Sequence, residues 1–491
     1  MYLSKTNYTC ADQCYKKLWL KKFRPDLAEI DAVLEARFKT GHMVGEYARR
    51  LFPGGVLIEF NENFSIMAEK TESLLKSGVK VIYEAVFVYD NLIAICDILV
   101  VTESGFEIFE VKSSTEVKDV YYNDISFQCV VVAGCGYNVA KAVIVHIDKQ
   151  FIRRGEIDYY KLFATFDATK ITKAYSEHIT NVIPDILKML EKGMPGIGIG
   201  SYCSTPYQCE FSKYCRNHLP EYSVFNLYRI GQKAYEYYYN GIISMEDVAM
   251  SGMVLKGIQK LQQDAEKSRL LIADKEKIRQ FISTLKYPLY FLDFETFMEA
   301  IPSYDGCRPY EQIPFQYSLH YMESETGQLK HKEFLAIEGV NPKEALVRQL
   351  CTDISPGGTV LVYNISFEGT IISKLAEEFP EWRERLLGIK GSFVDLIIPF
   401  RSGYYYENAM RGSFSIKSVL KALFPNTEEL DYSRLEIKNG SEAMTVFPTM
   451  RTMSYEDRLK TREALLEYCK LDTFAMVKIL EKLKGVERAM P

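Results

Sequence analysis

Acidic side chains interrupt apolar strand patterns in the first half of the chain. Asp97 lies within LIAICDILVV, while Glu110 and Lys112 in GFEIFEVKSS are two residues apart and therefore point to the same face of a strand. A lone carboxylate in such surroundings is unfavourable unless it is paired or binds a cation. On adjacent antiparallel strands the three side chains would converge, and two carboxylates with an ammonium can hold Mg²⁺ or Mn²⁺ for phosphodiester hydrolysis. We therefore predict Asp97 and Glu110 as metal ligands and Lys112 as a catalytic residue.

A second set of carboxylates occurs near the end of the chain. In YFLDFETF, Asp293 and Glu295 point to one side of an apolar strand, and two like charges there require a cation between them. In EALLEYCKLDTFAMVKIL, Tyr468 and Asp472 are one helical turn apart, and the apolar stripe of that helix includes Asp472. The pattern predicts a second cation site.

Three cysteines are close together in CSTPYQCEFSKYC, at Cys203, Cys209 and Cys215. Their spacing in a loop-rich segment is typical of ligands to a metal cluster rather than of core residues. A fourth ligand is required. The cysteines in apolar contexts are interpreted as ordinary buried thiols: Cys96, Cys129, Cys135, Cys307, Cys351 and Cys469.

The elements that must position these residues indicate an α/β protein with two domains. Strand patterns over 80–88, 92–101 and 105–112 are followed by helices and the cysteine segment, which predicts a first domain over 1–220. Residues 221–285 are tyrosine-rich and then highly charged, and they predict a helical connector. Strands at 287–294, 316–322 and 359–363, followed by a long amphipathic helix over 455–484, predict a second domain over 286–491.

Composition narrows the class of protein. The chain has 491 residues, of which 47% are hydrophobic and 25% charged, as in globular proteins, and its net charge is −5, which excludes a globally basic nucleic-acid coat. No segment reads as a signal peptide or membrane span, so we expect a soluble cytoplasmic protein without membrane partners. One local basic patch is either a nucleic-acid contact or a solvated helix face; it consists of Lys16, Lys17, Lys21, Lys22 and Arg24.

With these motifs the first 220 residues resemble the RecB-like branch of the PD-(D/E)xK nucleases, including CRISPR-associated iron-sulfur nucleases. The resemblance implies a restriction-endonuclease-like fold and a catalytic role for Gln128, although Val132 stands where the family often has tyrosine. The family's helical histidine ligand is missing. Glu46 is our preferred metal-ligand substitute, and His42 is the alternative.

The same resemblance supplies a fourth ligand for the cysteine site. CYKKLWL resembles the opening of the iron-sulfur nucleases, which implies Cys14 as the partner of Cys203, Cys209 and Cys215, with Cys10 as the alternative. An iron-sulfur cluster of the 4Fe-4S type is expected. A zinc ion bound by four cysteines is the alternative, because it would connect the two ends of the domain equally well.

The last 206 residues of the chain, 286–491, resemble the DEDD exonucleases of the RNase H-like fold. By that resemblance Asp293, Glu295 and Asp472 hold two metal ions, while Tyr468 positions the attacking water. In YNISFEGTIISKLA, Glu368 replaces the usual aspartate as ligand; alternatively Asp395 assists, or the site has lost activity. The whole arrangement resembles a largely uncharacterised bacterial and archaeal family.

Together these features predict a metal-dependent nuclease acting on nucleic acid, with DNA favoured over RNA. Its second domain is expected to trim 3′ ends. Two alternatives remain: a nucleic-acid-binding protein with a degenerate RNase H-like clamp, and a zinc-stapled scaffold without catalysis.

Overall fold

The computed structural model describes residues 2–29 and 32–488 and has a mixed α/β fold. Its contacts divide the chain into two units. Unit 1 contains Met1–His218 and the segment Glu299–Glu311, and unit 2 contains Leu219–Met298 and Gln312–Pro491. Residues 221–285, predicted as a connector, therefore belong to unit 2.

Unit 1 is built on one mixed sheet, which has seven strands in the described part of the chain. The strands are β1 (Leu3–Ser4), β2 (Val56–Leu57), β3 (Val81–Tyr89), β4 (Leu92–Thr102), β5 (Gly105–Lys112), β6 (Val139–Ile147) and β7 (Phe163–Asp167). Their order is β2-β3-β4-β5-β6-β7. Strand β4 is antiparallel to both β3 and β5, and β6 is parallel to β5.

Helices cover both faces of this sheet. They are α1 (Lys5–Gln13), α2 (Tyr15–Phe23), α3 (Ala32–Arg49), α4 (Phe64–Lys76), α5 (Asp119–Gly134), α6 (Tyr159–Leu162), α7 (Thr169–Leu190) and α8 (Ser212–Arg216). One core packs α1, α4, α5 and α7 against the sheet. The other core contains Val44 and Ala48 of α3 together with Ala300 and Ile301 of the segment 299–311.

Strand β4 changes its partner near Asp97. Its second half pairs with β5 from Ile98↔Phe109 onward, whereas its first residues pair with β1 through Leu3↔Leu92. Helix α1 begins immediately after β1, and the Ser4 side chain accepts a hydrogen bond from the Asn7 backbone N–H at 3.3 Å. The gap between β1 and β5 along β4 therefore brings Asp97, the end of β5 and the first turn of α1 together.

Unit 2 is built on a five-stranded mixed sheet, counted over the described residues, and a two-stranded sheet. The strands are β8 (Ile272–Ala273), β9 (Leu289–Phe297), β10 (Ile313–Met322), β11 (Lys330–Leu335), β12 (Thr359–Val362), β13 (Phe393–Asp395) and β14 (Tyr405–Tyr406). The larger sheet has the order β11-β10-β9-β12-β13. Within it β10 is antiparallel to both of its neighbours, and β12 is parallel to β9 and β13.

The helices of unit 2 are α9 (Lys233–Tyr239), α10 (Met245–Met250), α11 (Gly257–Ser268), α12 (Lys275–Ser283), α13 (Lys343–Asp353), α14 (Ile365–Glu378), α15 (Arg383–Gly391), α16 (Ile398–Arg401), α17 (Ile416–Leu423), α18 (Gly440–Thr449) and α19 (Tyr455–Arg488). Side-chain alternation along β9 sends Tyr290, Leu292 and Phe294 into the core formed with α13, α14 and α15. The intervening residues point to the opposite face, where Phe297 packs on Phe447 of α18.

The strongest sequence patterns are confirmed at the level of single elements. Strand β5 has the predicted bounds, β3 and β4 differ from prediction by one residue at their ends, and the long helix α19 begins at the predicted Tyr455. No helix in the described ranges is long and apolar enough to cross a membrane.

Candidate metal centres

A cluster of carboxylates lies on the α18–α19 face of the unit 2 sheet. Asp293 and Glu295 come from β9, and Asp472 comes from α19. Each offers an oxygen within 4.8 Å of the others, the only three-residue group of possible metal-ligating atoms this tight among the described residues. Glu295 and Asp472 are buried whereas Asp293 is partly exposed, so the cluster reaches solvent. Oxygen donors in this arrangement suit a hard divalent cation.

The electrostatics of the cluster oppose the simultaneous ionisation of its carboxyl groups. Burial and the neighbouring Asp472 raise the pKa of Glu295 to about 8, and burial raises the pKa of Asp472 itself to about 6. Burial, Asp472 and Glu295 together hold the pKa of Asp293 well above its usual range. The three groups therefore resist being charged simultaneously unless positive charge is supplied.

Glu368 adds a fourth carboxylate from the first turn of α14. Its side chain is 1% exposed, and its Oε2 atom has no hydrogen-bond partner. Burial raises its pKa to about 8, and its charge acts on both Asp293 and Glu295. An unpartnered buried carboxylate oxygen next to an acidic cluster is the expected condition of a metal ligand in a protein without its ion.

Asp395 was considered as an assisting metal ligand, but its carboxylate is used to hold the backbone. Its Oδ1 accepts hydrogen bonds from the backbone N–H groups of Asn364 at 3.0 Å and Ile397 at 3.2 Å, and its Oδ2 accepts from Ile365 at 3.2 Å. These bonds hold the turn that leads into α14, where Asn364 has a left-handed φ of 83°. Asp395 thus positions the helix that carries Glu368 rather than offering free oxygens to a metal.

Three further side chains surround the cluster, and the sequence pattern identified only one of them. Tyr468 is buried one turn before Asp472 on α19, as predicted. Tyr432 donates a hydrogen bond from its hydroxyl to Asp472 Oδ1 at 2.7 Å. Lys417 of α17 acts electrostatically on Glu295 and Asp472. Neither Tyr432 nor Lys417, which is at the start of α17, belongs to a recognisable motif, so no sequence signal indicated them.

In metal-free protein, these pKa shifts predict a loss of stability as the pH rises. The carboxyl pKa of Glu295 moves from 4.5 to about 8 on folding, so the folded state binds the proton more tightly between these values. The free energy of unfolding should therefore fall progressively across this window and level off above it. Mn²⁺ at 100 times its Kd should raise the free energy of unfolding by about 2.7 kcal/mol. Thermal unfolding at about pH 5 and about pH 8, with chelator or Mn²⁺, measures both effects.

Glu295→Gln is the matched control for that experiment, because it removes one titrating group without changing side-chain size. Its metal-free stability should depend less on pH than that of the wild type. An identical pH dependence in both proteins would contradict the assignment of the destabilising charge to this cluster.

The unit 1 site forms where β4 leaves β5. Asp97 Oδ2 accepts a hydrogen bond from the Val111 backbone N–H at 2.7 Å. This side-chain bond lies just beyond Ile98, the residue at which the backbone pairing of β4 with β5 ends. Glu110 is 1% exposed, and its Oε1 receives Lys5 Nζ at 2.5 Å and Lys112 Nζ at 2.8 Å. The four side chains named here, Asp97, Glu110, Lys112 and Lys5, form one connected charged group.

Helix α5 supplies the other partners of this group. Gln128, which is fully buried, donates from Nε2 to Glu110 Oε2, and Asp124, one turn earlier, pairs with Lys112. The Gln128 Oε1 atom has no hydrogen-bond partner. The structure therefore brings Asp97, Glu110, Lys112 and Gln128 together as the sequence predicts, and it adds Lys5 and Asp124.

The two unit 1 carboxylates have opposite electrostatic environments. Burial and the neighbouring Glu110 raise the pKa of Asp97 to about 7. Burial would also raise the pKa of Glu110, but Lys112 and Lys5 outweigh it and lower that pKa to about 2. Glu110 is thus held as a carboxylate by ammonium groups, and a divalent ion at this position would take the place of Lys5 beside Asp97.

Glu46 does not take the role predicted for it. It is exposed on α3, as is the alternative His42.

A carboxylate that does act on Asp97 is Glu84 of β3. Glu84 has a left-handed φ of 56° and lies at the break in pairing between Tyr83↔Ile98 and Ala85↔Cys96. Helix α3 reaches Glu84 only through Arg49, whose Nη2 atom lies 2.8 Å from Glu84 Oε1. Glu84 replaces Glu46 as the candidate third ligand, because the β3–β4 register places it opposite Asp97 and its charge acts on Asp97.

All four predicted cluster cysteines line one cavity in unit 1. Cys14, Cys203, Cys209 and Cys215 share its wall with Lys16, Lys17 and apolar side chains. Burial raises the pKa of Cys209 to about 11 and also raises the pKa of Cys215, so the protein alone favours their protonated thiols. Cys10 does not line the cavity; its sulfur accepts a hydrogen bond from Lys21 at 3.8 Å.

Helix α1 and the cysteine loop connect this cavity to the charged group around Glu110. Gln13, at the last position of α1, donates from Nε2 to the carbonyls of Tyr202 at 2.6 Å and Tyr207 at 2.7 Å. Lys5, at the first position of the same helix, contacts Glu110. Tyr207, between Cys203 and Cys209, is close enough to Lys112 and Tyr121 for its pKa to respond to both. The cysteine loop therefore contacts the last turn of α1, which begins with Lys5, and also lies close to Lys112.

The basic patch is largely engaged in contacts within unit 1. Lys17 is buried and pairs with Glu210 at 3.2 Å, Lys22 donates to the Tyr2 carbonyl at 3.2 Å, and Arg24 pairs with Asp26 at 2.7 Å. Lys16 donates to the Ile197 carbonyl at 3.3 Å. Lys16 and Lys17 thus connect α2 to the residues around the cysteine segment, whereas Lys22 and Arg24 are bonded to Tyr2 and Asp26 near the N-terminus.

The interpretation of the other cysteines as buried thiols agrees with the structure. Cys96, Cys129, Cys307, Cys351 and Cys469 are buried, and Cys135 is partly buried. Cys469 lies beside the unit 2 cluster, where its sulfur is 3.7 Å from Asp293 Oδ2.

Comparison with known proteins gives one match. Residues 290–415 match the model of a family described as a domain of unknown function, DUF2779. The match includes Asp293, Glu295 and Glu368 and ends before Lys417, Tyr468 and Asp472. No curated protein and no solved structure is detectably similar to the chain.

Proposed function

We propose that this protein is a divalent-metal-dependent nuclease with two hydrolytic sites and a structural iron-sulfur cluster. Unit 2 is the 3′-5′ exonuclease of the DEDD type, unit 1 is a RecB-like PD-(D/E)xK nuclease, and DNA is the favoured substrate. The observation that carries the proposal is the convergence of Asp293, Glu295 and Asp472 within 4.8 Å, with the unpartnered Glu368 oxygen beside them.

The topology of unit 2 supports this assignment. A five-stranded sheet of order β11-β10-β9-β12-β13, in which the second strand along the chain is antiparallel to the rest, is the arrangement of the RNase H-like fold. Its carboxylates lie on the first strand, on the helix after the fourth strand and on a C-terminal helix. The DEDD resemblance implies carboxylates at these three places.

Each residue of the unit 2 site has a distinct task in phosphodiester hydrolysis. Asp293, Glu295, Asp472 and Glu368 would hold Mg²⁺ or Mn²⁺, which when bound activates water and offsets charge on the phosphate. Tyr432 fixes the orientation of Asp472 through its hydrogen bond of 2.7 Å. Tyr468 is the candidate to orient the attacking water, since its hydroxyl is on the same side of α19 as Asp472.

The unit 1 arrangement supports the second nuclease site. Three antiparallel strands followed by a helix and a parallel strand, β3-β4-β5-α5-β6, is the core expected of a restriction-endonuclease-like domain. Asp97 and Glu110 would bind the metal, with Glu84 as third ligand. Lys112 would orient water or steady developing charge, while Gln128 holds Glu110 in place.

The spacing of the cysteine sulfurs supports an iron-sulfur cluster over zinc. Thiolates around one zinc ion lie about 3.8 Å apart, because each Zn–S bond is about 2.3 Å in a tetrahedron. No three sulfurs among the described residues lie within 4.8 Å of one another, so these four cysteines surround a larger space. A cluster whose ligands bind different iron atoms suits that wider spacing.

The direct test is anaerobic purification followed by incubation with end-labelled single- and double-stranded DNA and RNA. We expect nucleotide release that requires Mn²⁺ or Mg²⁺ and stops in chelator. The double variant Asp97→Asn, Asp293→Asn should release none. If the protein keeps its affinity for nucleic acid in chelator and hydrolyses none in the presence of metal, it is a binding protein instead. Digestion by the double variant would refute the assigned sites.

A further inference from the structure

Lys417 is held above the unit 2 carboxylates by two aromatic rings. It lies in the first turn of α17 and is partly buried. Its Nζ atom is 4.6 Å from the centre of the Tyr432 ring and 5.0 Å from that of Tyr468. Both rings belong to side chains that adjoin Asp472, so the ammonium is confined to one side of the carboxylate cluster.

The ammonium is near these carboxylates without forming an ion pair with any of them. Its charge acts on Glu295 and Asp472, yet within the described residues its only direct hydrogen bond is to the Lys438 carbonyl at 2.5 Å. An ammonium has three donors, so two remain for another acceptor. A lysine that served only to neutralise the cluster would contact a carboxylate directly.

The start of α18 borders the space beside Glu295. Gly440 begins α18, and an added Cβ atom at this position would lie 3.4 Å from Glu295 Oε2 and 3.9 Å from the Tyr468 hydroxyl. The acidic cluster, Lys417 and this backbone therefore border one site with negative groups on one side and a cation with free donors on another. An anion bridging a carboxylate-bound metal and an ammonium fits that charge distribution.

We infer that Lys417 is a catalytic residue that contacts a non-bridging oxygen of the scissile phosphodiester. This inference rests on the proposed function of unit 2 and identifies the cation on the phosphate side of that site. As the water oxygen bonds to phosphorus, the P–O3′ bond breaks, the water gives up one proton and the departing 3′ oxygen takes one up. Lys417 exchanges no proton and offsets the charge that accumulates on the phosphoryl oxygens.

Lys417→Met tests the inference in a protein whose unit 1 is silenced by Asp97→Asn. Against 5′-labelled single-stranded DNA, kcat should fall about 10²-fold, as for loss of one donor to a charged transition state. Lys417→Arg should recover part of the activity. The affinity for thymidine 5′-monophosphate, measured by calorimetry in Mn²⁺, should be lower in Lys417→Met. The Mn²⁺ affinity of this variant should stay within about twofold of the parent value, and its melting temperature within a few degrees.

Lys421→Met, one turn later on the exposed side of α17, is the control for the loss of a lysine from this helix. It should leave kcat and nucleotide binding unchanged. If the parent is active and Lys417→Met has the same kcat, the role of Lys417 is overturned while the proposed function stands. A loss of Mn²⁺ affinity that parallels the loss of kcat would also overturn that role. A parent that releases no nucleotides under any metal condition would overturn the proposed function and this inference with it.

Discussion

Asp472→Asn is expected to lower Mn²⁺-dependent release of nucleotides by unit 2 about 10³-fold, since loss of one metal ligand removes several kcal/mol of transition-state stabilisation. Asparagine has the shape of aspartate and still accepts the Tyr432 hydrogen bond, so the local fold should persist. The measurement is the initial rate on 5′-labelled single-stranded DNA, again in the Asp97→Asn background.

The same substitution should make the metal-free protein more stable. At about pH 8 the variant lacks one of the buried like charges that raise the pKa of Glu295 and Asp293, so its melting temperature should exceed that of the parent. Mn²⁺ should then stabilise the variant less than the parent. Lower activity with lower metal-free stability would indicate a folding defect and contradict Asp472 as a ligand in a repulsive cluster.

The parts of the fold that could be predicted are those specified by local patterning. Strand β5 and the long helix α19 followed from side-chain periodicity, because their buried faces repeat every two or about 3.6 residues. The segment Glu299–Glu311 could not be predicted, since it lies between two strands of unit 2 yet contributes Ala300 and Ile301 to a unit 1 core. Contacts across such distances along the chain leave no periodic signal.

In the candidate sites, too, residues marked by a local pattern could be predicted and residues placed by tertiary packing could not. Asp97, Glu110, Asp293 and Asp472 were found because each is a charge within an apolar element. Glu84 has that signal too, within VIYEAVFVY, but the strand pattern could not reveal that it lies opposite Asp97 with a positive φ. Lys5 and Lys417 are lysines at the starts of ordinary helices, and only tertiary packing brings them to carboxylates.

The two candidate sites balance negative charge in different ways. In unit 2 the carboxylates have no ion-pair partner among the described residues, and the pKa values of Asp293, Glu295 and Asp472 are all raised. In unit 1 Lys5 and Lys112 already neutralise Glu110, whose pKa is lowered to about 2. If both sites bind metal as proposed, its removal should destabilise unit 2 more than unit 1, because in unit 1 Lys5 and Lys112 already offset the charge of Glu110.

Unit 1 depends instead on its cysteine site, and Cys209→Ser is expected to abolish the visible absorption of anaerobically purified protein and to destabilise unit 1. In the proposed cluster, four bonds would connect Cys14 to Cys203, Cys209 and Cys215 and close a loop of nearly the whole unit. Loss of the cluster should also release Tyr207 and Gln13, which support Lys112 and Lys5. Nuclease activity of unit 1, measured in the Asp293→Asn background, should fall with the absorption.

Matched cysteine variants separate this prediction from a general effect of losing a thiol. Cys135→Ser keeps a donor for the Val88 carbonyl, which the sulfur contacts at 3.3 Å, and should retain colour, stability and activity. Cys10→Ser should also retain colour, whereas Cys14→Ser should lose it, because only Cys14 lines the cavity. A colourless wild-type protein containing stoichiometric zinc would contradict the cluster, because zinc binding requires all four sulfurs close together, and no three sulfurs among the described residues lie within 4.8 Å of one another.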